Sequence, residues 1–141
     1  MKKIKIVCLV VFLPLVILSC ERHKYEERIE LNYFLISLEE FEDMSLMIKN
    51  DNLFVEVIPQ TVYALGSDKN YIIVKRHPRE WPSMPDKSIK QYYIIPITEP
   101  VDEVAEYNRI GPMTKEEFER KREELRVPQS LTFTKVFENL E

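Results

Sequence analysis

The chain has 141 residues, with 20 basic residues against 24 acidic ones and only two cysteines and two glycines. Its length accommodates one domain with an apolar core and little more. Its acidic balance excludes a nucleic-acid partner held by charge, which would need a basic face to neutralise phosphates.

Lys2, Lys3 and Lys5 precede an apolar run of 13 residues, Ile6 to Leu18, that includes Pro14. A helix needs about 20 apolar residues to cross a bilayer. The run is too short for that and fits the apolar region of a signal peptide. It ends in Ile17-Leu18-Ser19-Cys20, which resembles a bacterial lipobox. Only a thiol forms the thioether to a diacylglyceryl group, and the residue before it must be small enough for the peptidase subsite. Two or more acyl chains anchor stably where one is marginal. The expectation is a signal peptide over residues 1–19, lipid on Cys20, and a cell-envelope protein held to a membrane by that lipid. The competing readings are an ordinary secretory signal, with Cys20 there by accident, and a retained anchor, which Pro14 and the length both oppose.

Cleavage before Cys20 removes three lysines, so 17 basic residues face 24 acidic ones and the net charge is −7. Charge then does not draw the mature chain to anionic lipid, and the acyl chains must hold it there. Cys8 leaves with the signal and Cys20 carries lipid, so no disulfide is expected even in an oxidising envelope. Residues 21–30, ERHKYEERIE, read as a charged tether whose composition cannot form a core, and His23 within it reads as solvated.

The globular part is expected over residues 31–141. Leu31 to Leu38 (LNYFLISL) reads as the first strand and Met44 to Lys49 as the second. Asn50-Asp51-Asn52 is a turn signal, because Asn and Asp tolerate left-handed backbone. Leu53 to Ile58, Thr61 to Leu65 and Tyr71 to Arg76 follow as strands, with a loop from Gly66 to Asn70. Short polar turns between them predict an antiparallel meander. Tyr92 to Ile97 resumes as a strand, and Pro96, which has no N–H, places it at an edge or beside a bulge. YIIVK (71–75) and YYIIPI (92–97) echo one another weakly, which is no repeat architecture. Thr98 to Arg109 is polar and reads as loop.

Gly111-Pro112 reads as a turn. Thr114 and Glu117 form a capping box, and Met113 and Phe118 are spaced for a hydrophobic staple. Phe118 and Leu125 share one helix face. Glu116–Arg120 and Glu117–Lys121 are i,i+4 pairs on the wet side. Pro128 ends the helix near Arg126, and Leu131 to Phe137 reads as a last strand. The fold class is therefore α+β: a mainly antiparallel sheet of six or seven strands with one C-terminal helix.

Three segments, VIPQTVYALGSDKNYIIVKRHP (57–78), QYYIIPI (91–97) and IGPMTKEEFERKREELRVP (110–128), resemble a family of small bacterial lipoproteins catalogued as a domain of unknown function. The similar blocks cover most of residues 31–137, and the GPxTKEEF-type helix is their most specific part. The resemblance implies a lipid-anchored envelope protein and brings no active site to carry over.

The residues themselves offer little chemistry. His77 is the sole histidine of the globular part, and a hydrolase built on it, with Ser83 or Ser88 as partner, is a weak alternative. Glu39, Glu40, Glu42 and Asp43 cluster, but a solvated acidic turn explains them better than a carboxylate pair. No metal motif or phosphate loop is present, no cofactor is expected, and no catalytic residue is assigned. What remains is the 13-residue stretch HPREWPSMPDKSI (77–89), longer than an ordinary connection of about 4–6 residues. Its prolines preorganise the loop, and tryptophan is enriched at binding hot spots. Trp81, Arg79 and Met84 are thus the candidate partner-binding residues, although a lone tryptophan more often packs on its own sheet. The expected function is a non-enzymatic binding module at the membrane, with an envelope protein as the expected partner. The runner-up is an immunity-type lipoprotein whose acidic domain neutralises a basic toxin.

Overall fold

The computed structural model describes residues 24–98 and 108–141. The expected signal peptide, Cys20, His23 and most of the loop expected before Arg109 lie outside them. Nine strands and one helix follow in the order β1 (Tyr25–Glu30), β2 (Tyr33–Ser37), β3 (Ser45–Asn50), β4 (Leu53–Ile58), β5 (Val62–Ser67), β6 (Tyr71–Arg76), β7 (Gln91–Pro96), β8 (Ile110–Met113), α1 (Lys115–Glu124) and β9 (Lys135–Val136). A 3₁₀ turn, Phe41–Asp43, joins β2 to β3. The strands form two antiparallel sheets rather than the single one expected: β1-β2-β3-β4 and β8-β7-β6-β5-β9. The α+β class with one C-terminal helix stands.

Side-chain alternation explains why two strands are almost continuously apolar. On one face of the five-stranded sheet, Ile72, Val74, Tyr93 and Ile95 join Leu35, Leu46 and Val57 of the other sheet in one core. On the opposite face, Ile73, Tyr92 and Ile94 pack with Phe118 of α1 and with Val127 and Leu131. β6 and β7 are therefore covered on both sides, so neither carries the polar alternation of a half-exposed strand. Their sequence echo follows from this shared burial.

Residues 25–30 are the largest correction. They form β1, paired with β2 from Tyr25↔Ser37 to Glu30↔Tyr33, and are not a tether. Tyr25, Glu27 and Ile29 are half-buried while Glu26 and Arg28 are exposed, so the charge lies mostly on the outer face of an edge strand. The turn after it uses Leu31 at φ 44°, and a leucine at that position gives no turn signal. Asp51 does adopt the left-handed backbone expected of it, at φ 52°.

β7 is interior rather than at an edge, but a register shift against β8 lies between Tyr92 and Ile94, and Pro96 falls beyond the last β8 pair, Ile94↔Ile110. Gly111-Pro112 belongs to β8 and is not a turn. Only Lys135–Val136 of the expected last strand pairs, with Ala64 and Leu65.

The helix forms as its sequence dictates. Glu117 N–H donates to Thr114 Oγ1 (3.2 Å) and Thr114 N–H to Glu117 Oε2 (2.8 Å), completing the capping box. The exit is a Schellman motif: Arg126 takes φ 57°, its N–H donates to Glu123 O, and Val127 N–H donates to Arg122 O. Lys121 pairs with Glu124 (2.6 Å), three residues on. The buried Arg122 guanidinium donates to Pro128 O and Leu131 O, each at 2.8 Å, and fixes the path of the chain after the helix.

Gly66, expected in a loop, lies inside β5 because the backbone of the C-terminal segment crosses it. A Cβ there would sit 1.9 Å from Thr132 O, which is backbone and cannot rotate away. Gly66→Ala is expected to destabilise the fold by about 1–3 kcal/mol or more, read as a lower urea midpoint.

Tyr25, Glu27 and Lys135 tie the first strand to the last. Tyr25 OH donates to Glu27, and Lys135 Nζ lies 2.7 Å from the same carboxylate. The Lys135 hydrogen bond, then that of Tyr25, lowers the Glu27 pKa. Burial, then the Glu27 carboxylate, raises Tyr25 from 10.0 to about 12. The signs are opposite. Stability from neutral Tyr25 is complete below pH 10 and lost as pH rises toward 12. Stability from ionised Glu27 is present above its ordinary 4.5 and lost as pH falls through its lower folded value. Tyrosinate absorbance is expected to show a late-titrating tyrosine in the folded chain, and Tyr25→Phe to flatten the alkaline loss of stability.

Candidate functional site

The site grows from the junction between the two sheets. After β4 the chain crosses from one sheet to the other through Pro59, Gln60 and Thr61. Thr61 exchanges both backbone hydrogen bonds with His77, at 2.9 and 3.0 Å, and its hydroxyl donates to Glu42 O. Val62 N–H donates to Met44 O (2.8 Å). The 3₁₀ turn and the exit of β6 are thereby held side by side, and the proline-rich loop leaves β6 against that turn.

The loop is closed by its own bonds. His77 is fully buried and stacks on Tyr63 with ring centres 4.2 Å apart and planes 10° apart. Its Nδ1 lies 2.8 Å from Ile89 O. A carbonyl only accepts, so Nδ1 carries the proton and joins the two ends of the loop. Within it, Asp86 N–H donates to Pro78 O (2.9 Å), Ser83 N–H to Glu80 O (2.8 Å) and Arg79 Nε to Ser83 O (2.8 Å). Ser88 donates its N–H (3.0 Å) and hydroxyl (2.5 Å) to Asp86, which lowers the Asp86 pKa. Lys87 Nζ reaches the carbonyls of Asn139 and Glu141. The result is a compact surface loop with adjoining ends.

Arg79 is its main anchor. Its side chain is only 3% exposed, with Nη1 2.6 Å from Asp43 Oδ1 and Nη2 3.3 Å from Glu40 Oε2. Asp43 also accepts the N–H groups of Glu39 and Glu40, at 3.3 and 3.1 Å, which organises the 3₁₀ turn. The acidic cluster that looked like a solvated turn thus holds the loop. Arg79 itself is engaged inside the protein and is not a free contact residue.

Trp81 and Met84 stand on the outside, 74% and 66% exposed. Trp81 does not pack on its own sheet. It shares a shallow hollow with Leu38, Glu39, Asp43 and Gln60. Met84 and Ile89 line a second hollow with Glu80 and Asp86. Leu38 is 51% and Ile89 46% exposed, so the loop presents apolar surface over two concavities, each with an acidic rim. Among the described residues there is no group of three or more His, Cys, Asp or Glu placed to hold a metal ion.

The sequence located the loop and its two exposed residues. It did not locate the Arg79–Asp43 pair, 36 positions apart, or the Tyr63–His77 stack, because neither leaves a local pattern.

These features define a two-sheet α+β domain that displays a proline-braced apolar loop. A family model described as "Protein of unknown function (DUF3997)" matches residues 30–137, and the chain belongs to that family. No curated protein and no solved structure matches it.

Arg79→Ala is expected to cost about 1.5–3 kcal/mol, the range for a hydrogen bond to a charged group. It should also speed amide exchange across residues 79–89, measured by mass spectrometry, while the Thr114-capped helix stays protected.

Proposed function

We propose that the protein is a lipid-anchored component of the bacterial cell envelope that acts as a non-enzymatic binding module through the Trp81 loop. The observation that carries this reading is the display of Trp81 and Met84 in water by a loop braced from within. Burying a tryptophan is favourable, and Arg79 and His77 hold the loop in an arrangement that forgoes it. A rigid, exposed aromatic loses little entropy on docking. The lipobox-like ILSC at 17–20 supports the membrane address. A second reading, an immunity-type lipoprotein, draws on Glu39, Asp43, Glu80 and Asp86 around the two hollows, which suit a basic toxin; a toxin gene beside this one would support it.

The test is metabolic labelling with an acyl-chain precursor, followed by affinity purification from gently solubilised envelopes. The native chain is expected to take the label and stay with the membrane fraction, with its Trp81 loop engaged by an envelope component, read as a stoichiometric companion or as protection of the loop in the intact envelope, and Trp81→Ala to lose that engagement. Cys20→Ser is expected to lose the label. A native chain that takes no label overturns the anchor, and one that binds nothing through the loop overturns the module.

A further inference from the structure

The hollow under Trp81 lies at the end of the molecule where the chain enters the fold. Lys24 donates its N–H toward Ser37 O (3.0 Å) and Leu38 O (3.3 Å), and its ammonium lies 4.9 Å from the centre of the Phe41 ring. Leu38 lines the same hollow as Trp81. β1 pairs Tyr25 with Ser37 and Glu30 with Tyr33, so it runs away from this end. The β3–β4 turn, with Leu53 72% exposed, closes the opposite end, about 17–20 Å away for strands of this length.

We propose that the Trp81 face is turned to the bilayer and that Trp81 sits in the lipid headgroup layer. This rests on the reading of Cys20 as lipidated. Four residue steps separate Cys20 from Lys24, and fully extended they reach about 14 Å. The headgroup layer of one leaflet occupies about 5–8 Å of that reach. The domain therefore cannot stand clear of the membrane, and the face nearest Lys24 is the one brought to it. Tryptophan favours the membrane interface, where its ring is buried and its N–H stays wet. Leu38 and Met84 add apolar contact beside it.

Charge points to the same mode of attachment. Glu39 and Asp43 line one hollow of the face and Glu80 and Asp86 the other, Lys87 is engaged by the backbone oxygens of Asn139 and Glu141, and Arg79 is already matched by Asp43 and Glu40. Such a face has no net attraction for anionic lipid. The short tether supplies proximity, and the exposed apolar side chains supply contact with zwitterionic headgroups.

The experiment uses the full chain expressed with its N-terminal segment, purified from membranes and reconstituted into phosphatidylcholine vesicles with brominated acyl chains. Trp81 is the single tryptophan, so its emission reports this face alone. The mass of the purified chain reports lipidation separately. The expected result is a lipidated chain whose Trp81 emission shifts to shorter wavelength and is largely lost on brominated lipid. A Trp81→Phe, Leu53→Trp chain, reporting from the far end, is expected to keep water-exposed, unquenched emission. A lipidated chain with Trp81 unquenched, or with both positions quenched alike, overturns the orientation and leaves the lipid anchor standing. Trp81 shielded in native envelopes but unquenched by lipid identifies a protein on this face and likewise overturns it. A chain without lipid overturns both readings.

Discussion

The burial of the five-stranded sheet on both faces is the constraint from which the rest of the structure follows. With β6 and β7 apolar on either side, each face needs a cover. The four-stranded sheet covers one, and α1 with the segment after it covers the other. Without a disulfide among the described residues, this double cover is the main source of stability. It also explains why the helix is so firmly delimited. Phe118 reaches the sheet only if α1 starts at Thr114 and turns out at Arg126, and the capping box and the left-handed exit fix those two points. Arg122 then directs the chain back over Gly66, where a side chain would block it.

The same arrangement positions the candidate site. Joining the sheets through Thr61 brings the 3₁₀ turn and the end of β6 together, and Arg79 spans the gap to Asp43. The interior bonds of the loop are made by its charged and polar residues, while its large apolar ones face water. This inverts the usual distribution, in which apolar side chains are inside. A loop inverted in this way and closed by its own hydrogen bonds supports the proposed outside contact, since stability alone would favour a shorter connection.

What the sequence made legible was whatever depends on neighbours in the chain. The capping box, the Asn50–Asn52 turn, most strands and the unusual proline loop all follow from local spacing. β1 was illegible because its charges conceal its half-buried side: Tyr25, Glu27 and Ile29 alternate, but the cation that Glu27 pairs with is Lys135, 108 residues away. The division into two sheets was also hidden, because antiparallel strands give the same pattern whether they continue one sheet or begin another. At the site, residue type and loop composition singled out Trp81 and Met84, and the structure exposes both, although a lone tryptophan more often packs on its own sheet. Arg79 was misjudged, since an arginine beside an exposed tryptophan reads as a second contact residue until its carboxylate partners are seen.

The correction to residues 25–30 changes the functional argument as much as the fold. A ten-residue charged tether would let the domain swing freely, and then no face would have a preferred direction. Once those residues are a strand, the distance from Cys20 to the folded body falls to a few residues, and the end bearing Lys24, Leu38 and Trp81 becomes special. A long tether suits a domain that searches for soluble partners, because effective concentration spreads over the reach of the linker. A short one suits a domain that works at the surface it is fixed to. Given the proposed lipid on Cys20, the exposed tryptophan and the brief connection are two independent features that a contact at the membrane surface would account for together.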